Sequence, residues 1–141
     1  MSISNNEKEP IVVSANFWLV TYEKDVDLSY INDLLGIAGK ATRKSEFNPA
    51  AAFLSHSLWH VNQTCDNIVS MEDAIQKLLE PLYEKKDVIS NLINAEGLSS
   101  VVTVTVYAGE DNNLPLLLLS KKTIDMMNAL HVSEFSIDPF F

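Results

Sequence analysis

The run Ile11–Tyr22, IVVSANFWLVTY, limits the fold more than any other stretch of the chain. It is dense in β-branched and aromatic residues and has no glycine or proline, which suits a strand. Side chains alternate along a strand, so Phe17, Leu19 and Thr21 share one side and Trp18, Val20 and Tyr22 the other. Large groups on both sides predict a central strand with both faces partly covered. The run LSSVVTVTVYAG predicts a second strand, with Val102, Val104 and Val106 on one side. Val101, Thr103, Thr105 and Tyr107 take its other side.

Helical spacing appears between these strands. Asp27 is a good N-cap for a short helix carrying Leu28, Ile31, Leu34 and Leu35, and Gly36 fits its left-handed end. Ser70 opens a longer stripe of Met71, Ala74, Ile75, Leu78, Leu79 and Leu82. Pro81 predicts a kink or break there, and Val88, Ile89, Leu92 and Ile93 continue the stripe to Gly97. Ser120 caps a further helix with Ile124, Met127 and Leu130 expected inward.

The remaining segments are shorter. Residues 37–55 hold Lys40, Arg43 and Lys44, the only dense positive cluster, and read as a long loop with a short edge strand. GEDNN is turn chemistry, and Leu114–Leu119 is expected to be a buried hairpin partner of the strand before it. Val132–Asp138 alternates with Phe135 and Ile137 inward, and Pro139 is expected to end it. Strands joined by hairpins and mixed with helices argue for an α+β fold. The expected architecture is an antiparallel-rich sheet with helices mainly on one face, a two-layer sandwich.

At 141 residues, 47% of them hydrophobic, the chain can bury one core. Residues 1–9 are expected to form a disordered tail and 10–141 a single domain. The polar start lacks the basic and apolar regions of a signal peptide, and no apolar run nears the roughly 20 residues that span a bilayer. A single cysteine excludes an internal disulfide, and a reducing cytoplasm is the simplest compartment. Ten Lys and Arg against nineteen Asp and Glu give −9, which opposes nucleic acid and anionic membrane and attracts cationic partners.

HSLWHVNQTC, residues 56–65, gathers His56, His60 and Cys65. On a helix the two histidines could chelate; on a strand they stand about 13 Å apart, at roughly 3.3 Å per residue. Trp59 and Val61 against Leu58 and His60 argue for the strand, so no metal site is expected. A Cys65–His nucleophile lacks a base, an orienter and an oxyanion hole, and Ser55, His56 and Asp66 match a triad in type alone. There is no phosphate-cradling glycine motif. No catalytic residue and no cofactor are expected.

Several of these landmarks carry a resemblance. NFWLVTYEKDVDLSYINDLLGI joins an aromatic strand, an acidic turn and a short helix ending in Leu-Leu-Gly; SLWHV is a tryptophan strand. GLSSVVTVTVYAGEDNNLPLLLLSKKTIDMMNALHVSEFSID closes with strand, turn, strand, serine-capped helix and an acid–aliphatic strand. In this order, over about residues 14–138, they resemble the domain-of-unknown-function 4279 family. AAAFLS departs from the more polar, basic loop found there. The resemblance implies a small bacterial cytosolic α+β domain and supplies no catalytic motif.

These observations favour a non-enzymatic protein-binding domain, concretely an immunity protein that covers the active site of a cationic, nuclease-like toxin. Its expected partner-binding residues are Glu23, Asp25, Asp33, Glu80, Glu84 and Asp87. The alternative is a small-molecule-binding or enzymatic domain with a pocket between sheet and helices, lined by Trp18, Tyr22, Trp59 and Tyr107. A homodimer through a sheet edge is a third possibility.

Overall fold

A five-stranded sheet in the order β2-β3-β1-β4-β5 organises the chain. The computed structural model describes residues 11–46, 56–66, 70–107, 115 and 117–140. Its strands are β1 (Val12–Thr21), β2 (Lys40–Thr42), β3 (Ser57–Asp66), β4 (Ser99–Tyr107) and β5 (Val132–Phe140). The helices are α1 (Ile31–Leu35), α2 (Met71–Tyr83), α3 (Lys86–Glu96) and α4 (Lys121–Ala129). β1 is central, antiparallel to both β3 and β4, and β2 extends β3 antiparallel. β4 and β5 run parallel, with α4 in the crossover between them. The fold is a single α+β domain, the class expected from the mixture of strand and helix patterns.

One face of the sheet is the core. Val13, Ala15, Phe17 and Leu19 of β1 are all fully buried. Their neighbours Trp59, Val61 and Cys65 of β3 and Val102, Val104 and Val106 of β4 join the same cluster. Every buried apolar residue of the four helices belongs to it too, from Ile31 and Leu35 through the α2 stripe to Ile89, Leu92, Met126 and Met127. The helices therefore lie on one side, and burial of apolar surface at about 25 cal/mol per Å² is the main force holding the two layers together.

Local chemistry sets the ends of the helices. Gly36 and Gly97 close α1 and α3 in the left-handed conformation that glycine adopts at no steric cost. Ser70 Oγ accepts the Glu72 N–H at the start of α2, and Ser120 Oγ accepts that of Thr123 at the start of α4. The Ser120 N–H donates to the Glu72 carboxylate, so the two caps are tied together. α2 continues through Pro81 and breaks at Glu84–Lys85, making the pair of helices α2 and α3.

Four sequence expectations change. Asp27 accepts the Ser29 N–H and caps a turn before α1, whose helix starts only at Ile31. Of the expected hairpin strand Leu114–Leu119, the described residues 115 and 117–119 form no strand, and Leu117 and Leu118 are exposed. The partners of β4 are β1 and β5 instead. In α4 the buried side is Thr123, Met126 and Met127, followed by Leu130, while Ile124 is exposed. β5 runs through Pro139, because an edge strand needs no N–H on its open side. The expected tail 1–9, the GEDNN turn and residues 47–55 of the long loop lie outside the described residues.

Candidate functional site

The opposite face of the sheet receives none of the helical core residues and differs in chemistry. Following paired positions across the strands, one row reads Lys40, His60, Trp18, Val101, Glu134. The next reads Asn62, Asn16, Thr103, Ser136, and the third Thr64, Ser14, Thr105, Asp138. The register puts these groups together because β-strands alternate their side chains: the positions between the core residues must all point to this second face.

Trp18 anchors the first row. Its indole lies on the His60 ring, centroids 3.9 Å apart with planes 12° from parallel. Its Nε1–H donates to Thr103 Oγ1 at 2.9 Å, which fixes the ring over β4. His60 Nε2 meets Asn16 Oδ1 at 2.7 Å, and Asn62 Nδ2 donates to the same oxygen at 2.8 Å. Asn62 also donates to Ser14 Oγ, and Thr64 Oγ donates to Asn62 Oδ1. Asn16 is buried at 9% exposure, so this network supplies the partners that a buried amide requires. Burial, with a smaller effect from Lys40, holds the His60 imidazole below the ordinary histidine value. The neutral ring is the form this face favours.

Beside Trp18 the face dips into a depression of about 200 Å³, bordered by Trp18, Tyr22, His56, Val101, Thr103 and Glu134. Tyr22 is 57% exposed and its ring leans on His56 at 5.2 Å. Tyr107 is exposed at the other end of the face. Carboxylates of Asp66, Glu134 and Asp138 stand exposed around it. At the Val20 and Leu58 end the face is itself buried.

The aromatic residues expected to line one pocket are divided between the two sides. Trp59 is fully buried in the core, and Trp18, Tyr22 and Tyr107 stand opposite. His60 lies on the second face and Cys65 on the core face, so the cysteine and that histidine do not converge. Among the described residues no group of three or more His, Cys, Asp or Glu is placed to hold a metal.

The six acids expected to bind a partner fall into separate places. Asp25 accepts the Ser45 N–H at 3.2 Å and faces Arg43 Nε at 3.4 Å. The Ser45 N–H and then Arg43 hold its carboxyl below the usual value. Glu23 is exposed in the same turn, which buried Ser57 pins through the Val26 N–H and the Lys24 carbonyl. Asp33 and Asp87 occupy the first turns of α1 and α3, where a negative charge suits the helix dipole. Glu80 and Glu84 border a groove of about 590 Å³ between α2 and α4, with Lys121, Lys122 and Asp125. Glu80 pairs with Lys122 at 3.8 Å and Asp125 with Lys121 at 2.7 Å, so that groove is largely charge-balanced.

Sequence reasoning did not single out Asn16, Asn62, Thr103 or Glu134. A usable signal was present: the polar positions of Ser14–Asn16, His60–Thr64, Thr103–Thr105 and Glu134–Asp138 alternate with core residues. What the alternation lacks is strand order, which decides whether those polar positions meet.

No helix among the described residues is long and apolar enough to cross a membrane. Comparison with curated proteins and with solved structures gives no match. The model of a family described as a domain of unknown function, DUF4279, matches residues 12–140, nearly the whole chain, and the chain belongs to that family.

Proposed function

We propose that this chain is a non-enzymatic protein-binding domain whose working surface is the second face of the sheet, and that its partner is basic. The concrete form is an immunity protein acting in the cytoplasm, covering the active site of a nuclease-like toxin domain.

The observation that carries this reading is the make-up of that face. Exposed Tyr22 and Tyr107 and the fixed ring of Trp18 are set among Asp66, Glu134 and Asp138, with Lys40 as the cation of the first row. Protein interfaces are enriched in tyrosine and tryptophan, which bury large area at low entropy cost. Surrounding carboxylates steer a cationic partner and reject an anionic one. Glu23, Asp33, Glu84 and Asp87 add to the long-range field, in keeping with the net charge of −9. The depression of about 200 Å³ is smaller than the roughly 300–1,000 Å³ of typical small-molecule sites. That size favours a contact surface over a substrate pocket.

The test mixes the chain with the basic protein encoded beside its gene and measures association by calorimetry at low and high salt. A one-to-one complex is expected, weakening at least about tenfold as ionic strength rises and screens the charges. The double variant Tyr107→Lys, Asp138→Lys should weaken it by about 2 kcal/mol or more. No complex, or one indifferent to salt and to both substitutions, overturns the reading.

A further inference from the structure

Resting on that reading, we propose that the depression beside Trp18 is a socket for one arginine side chain of the partner. The residues that build it come from the first row of the face. Trp18 and Glu134 lie two strands apart, about 10 Å at the usual strand spacing. The residue between them is Val101, too short to fill the gap. A wall of indole, a low aliphatic floor and a carboxylate wall follow from those three side chains.

The chemistry of the walls selects the occupant. One face of the Trp18 ring is taken by His60 and its N–H by Thr103. Trp18 also borders the depression, and Tyr22 adds a second, exposed ring. A ring face carries negative quadrupole charge and attracts a cation. Glu134 supplies a full negative charge and two acceptor oxygens on the far side. A guanidinium is planar, stacks on aromatic faces and bonds a carboxylate through two parallel N–H groups. A lysine ammonium matches the charge but neither the stacking nor the fork. A neutral apolar side chain would leave Glu134 unpaired beneath it.

Two other features of the molecule offer less. The α2–α4 groove is larger, but both its lysines already pair with acids of the groove, Lys121 with Asp125 and Lys122 with Glu80. Among the described residues no strand covers the outer edge of β5, but Pro139 and the alternating Glu134, Ser136 and Asp138 are what guards an edge against strand addition.

The experiment is an NMR titration of the full chain with N-acetyl-arginine amide at about pH 7.5, above the ordinary histidine range. The two indole N–H signals are the readout, and buried Trp59 is the internal control. The Trp18 signal should shift saturably with a dissociation constant of about 1–10 mM, as for a single side chain, while that of Trp59 stays still. Glu134→Gln, on an exposed edge position, should weaken binding about fivefold or more without loss of fold. Tyr22→Leu should weaken it about twofold or more. N-acetyl-citrulline amide, nearly the same shape without the charge, should leave the Trp18 signal in place. Equal shifts from citrulline, equal affinity for N-acetyl-lysine amide, or an unchanged Glu134→Gln titration each overturn the socket. A partner that binds wild-type and Glu134→Gln chains alike would overturn it while leaving protein binding intact. Arginine binding in a chain that joins no basic protein would uphold the socket and remove the toxin partner.

Discussion

Trp18 and Trp59 stand on neighbouring strands, one residue out of register, and live in different surroundings. Trp59 pairs with Leu19 on the core face and is fully buried; Trp18 pairs with His60 on the other face and is half-buried. Each indole N–H has a partner, Asn32 Oδ1 at 2.7 Å for Trp59 and Thr103 Oγ1 at 2.9 Å for Trp18. The difference lies in what the rings touch. Trp59 is enclosed by helices and by the β2 approach, whereas Trp18 meets a polar network and an open depression. One side of the sheet is built to be filled by this chain, and the other keeps aromatic area that the chain leaves only partly covered.

The sharpest break of this comparison is to truncate both rings. Trp59→Ala should cost about 3–5 kcal/mol, because a large fully enclosed side chain leaves a cavity that its neighbours only partly close. That is a large share of the roughly 5–15 kcal/mol that holds a domain folded. Trp18→Ala should cost about 1–2 kcal/mol, since its surface is already partly in water. Urea unfolding of both variants measures the gap. Equal losses would mean that the second face is as much a core as the first.

A closer cut goes through the clamp around Trp59. Asn32 Oδ1 accepts the Trp59 indole N–H and the Gly39 backbone N–H, and Asn32 Nδ2 donates to the Gly39 carbonyl. This draws Gly39 against the ring so tightly that an added Cβ would lie 2.4 Å from Trp59 Cε2. Gly39→Ala should therefore cost about 1–3 kcal/mol through displaced packing, with the largest local change at Trp59. Near-ultraviolet circular dichroism with unfolding reads both effects. A variant as stable as wild type, with unchanged aromatic signals, would show that the β2 approach yields freely and that Trp59 is less confined than its exposure says.

The two faces were unequally legible in sequence. Val13, Ala15, Phe17 and Leu19, the α2 stripe and the β4 valines announce themselves, because burial selects apolar residues at strand or helix period. The partnership of Asn32 with Gly39 and Trp59 does not, because a partly buried amide is chosen by geometry that arises only after folding. The parallel β4–β5 pair was also hidden. Leu114–Leu119 has the composition of a strand, and a short apolar run fits a hairpin partner as well as a connecting segment. The second face suffered most from this, since Glu134 reaches the Trp18 row only when β5 lies beside β4. The acids read from sequence as a docking set were identified by local charge density, which says nothing about whether Asp25 is held by Arg43 or Glu80 by Lys122.

The smallest expected effect concerns pH and separates the faces by charge. Stacking on Trp18 favours a charged imidazole through the ring quadrupole. Burial and the nearby ammonium of Lys40 oppose it, and they prevail, so His60 is held below its ordinary value. The unfolded chain then binds the proton more readily than the folded one. Stability is fully present above the unfolded value of about 6.5 and declines as pH falls through it toward the folded value. The decline should be visible as a lower urea midpoint at about pH 5.5 than at about 7.5, and His60→Gln should remove that part of the difference. Lys40→Gln should shrink it by relieving the repulsion, and an NMR titration of the His60 ring should move upward in that variant. Among the described residues no charged group is buried, so core variants such as Gly39→Ala should shift the whole curve without changing its slope in this window. If His60→Gln leaves the slope untouched, the imidazole is wetter than the face implies. The ring under Trp18 would then be a loose neighbour instead of the firm backing that an exposed binding surface needs.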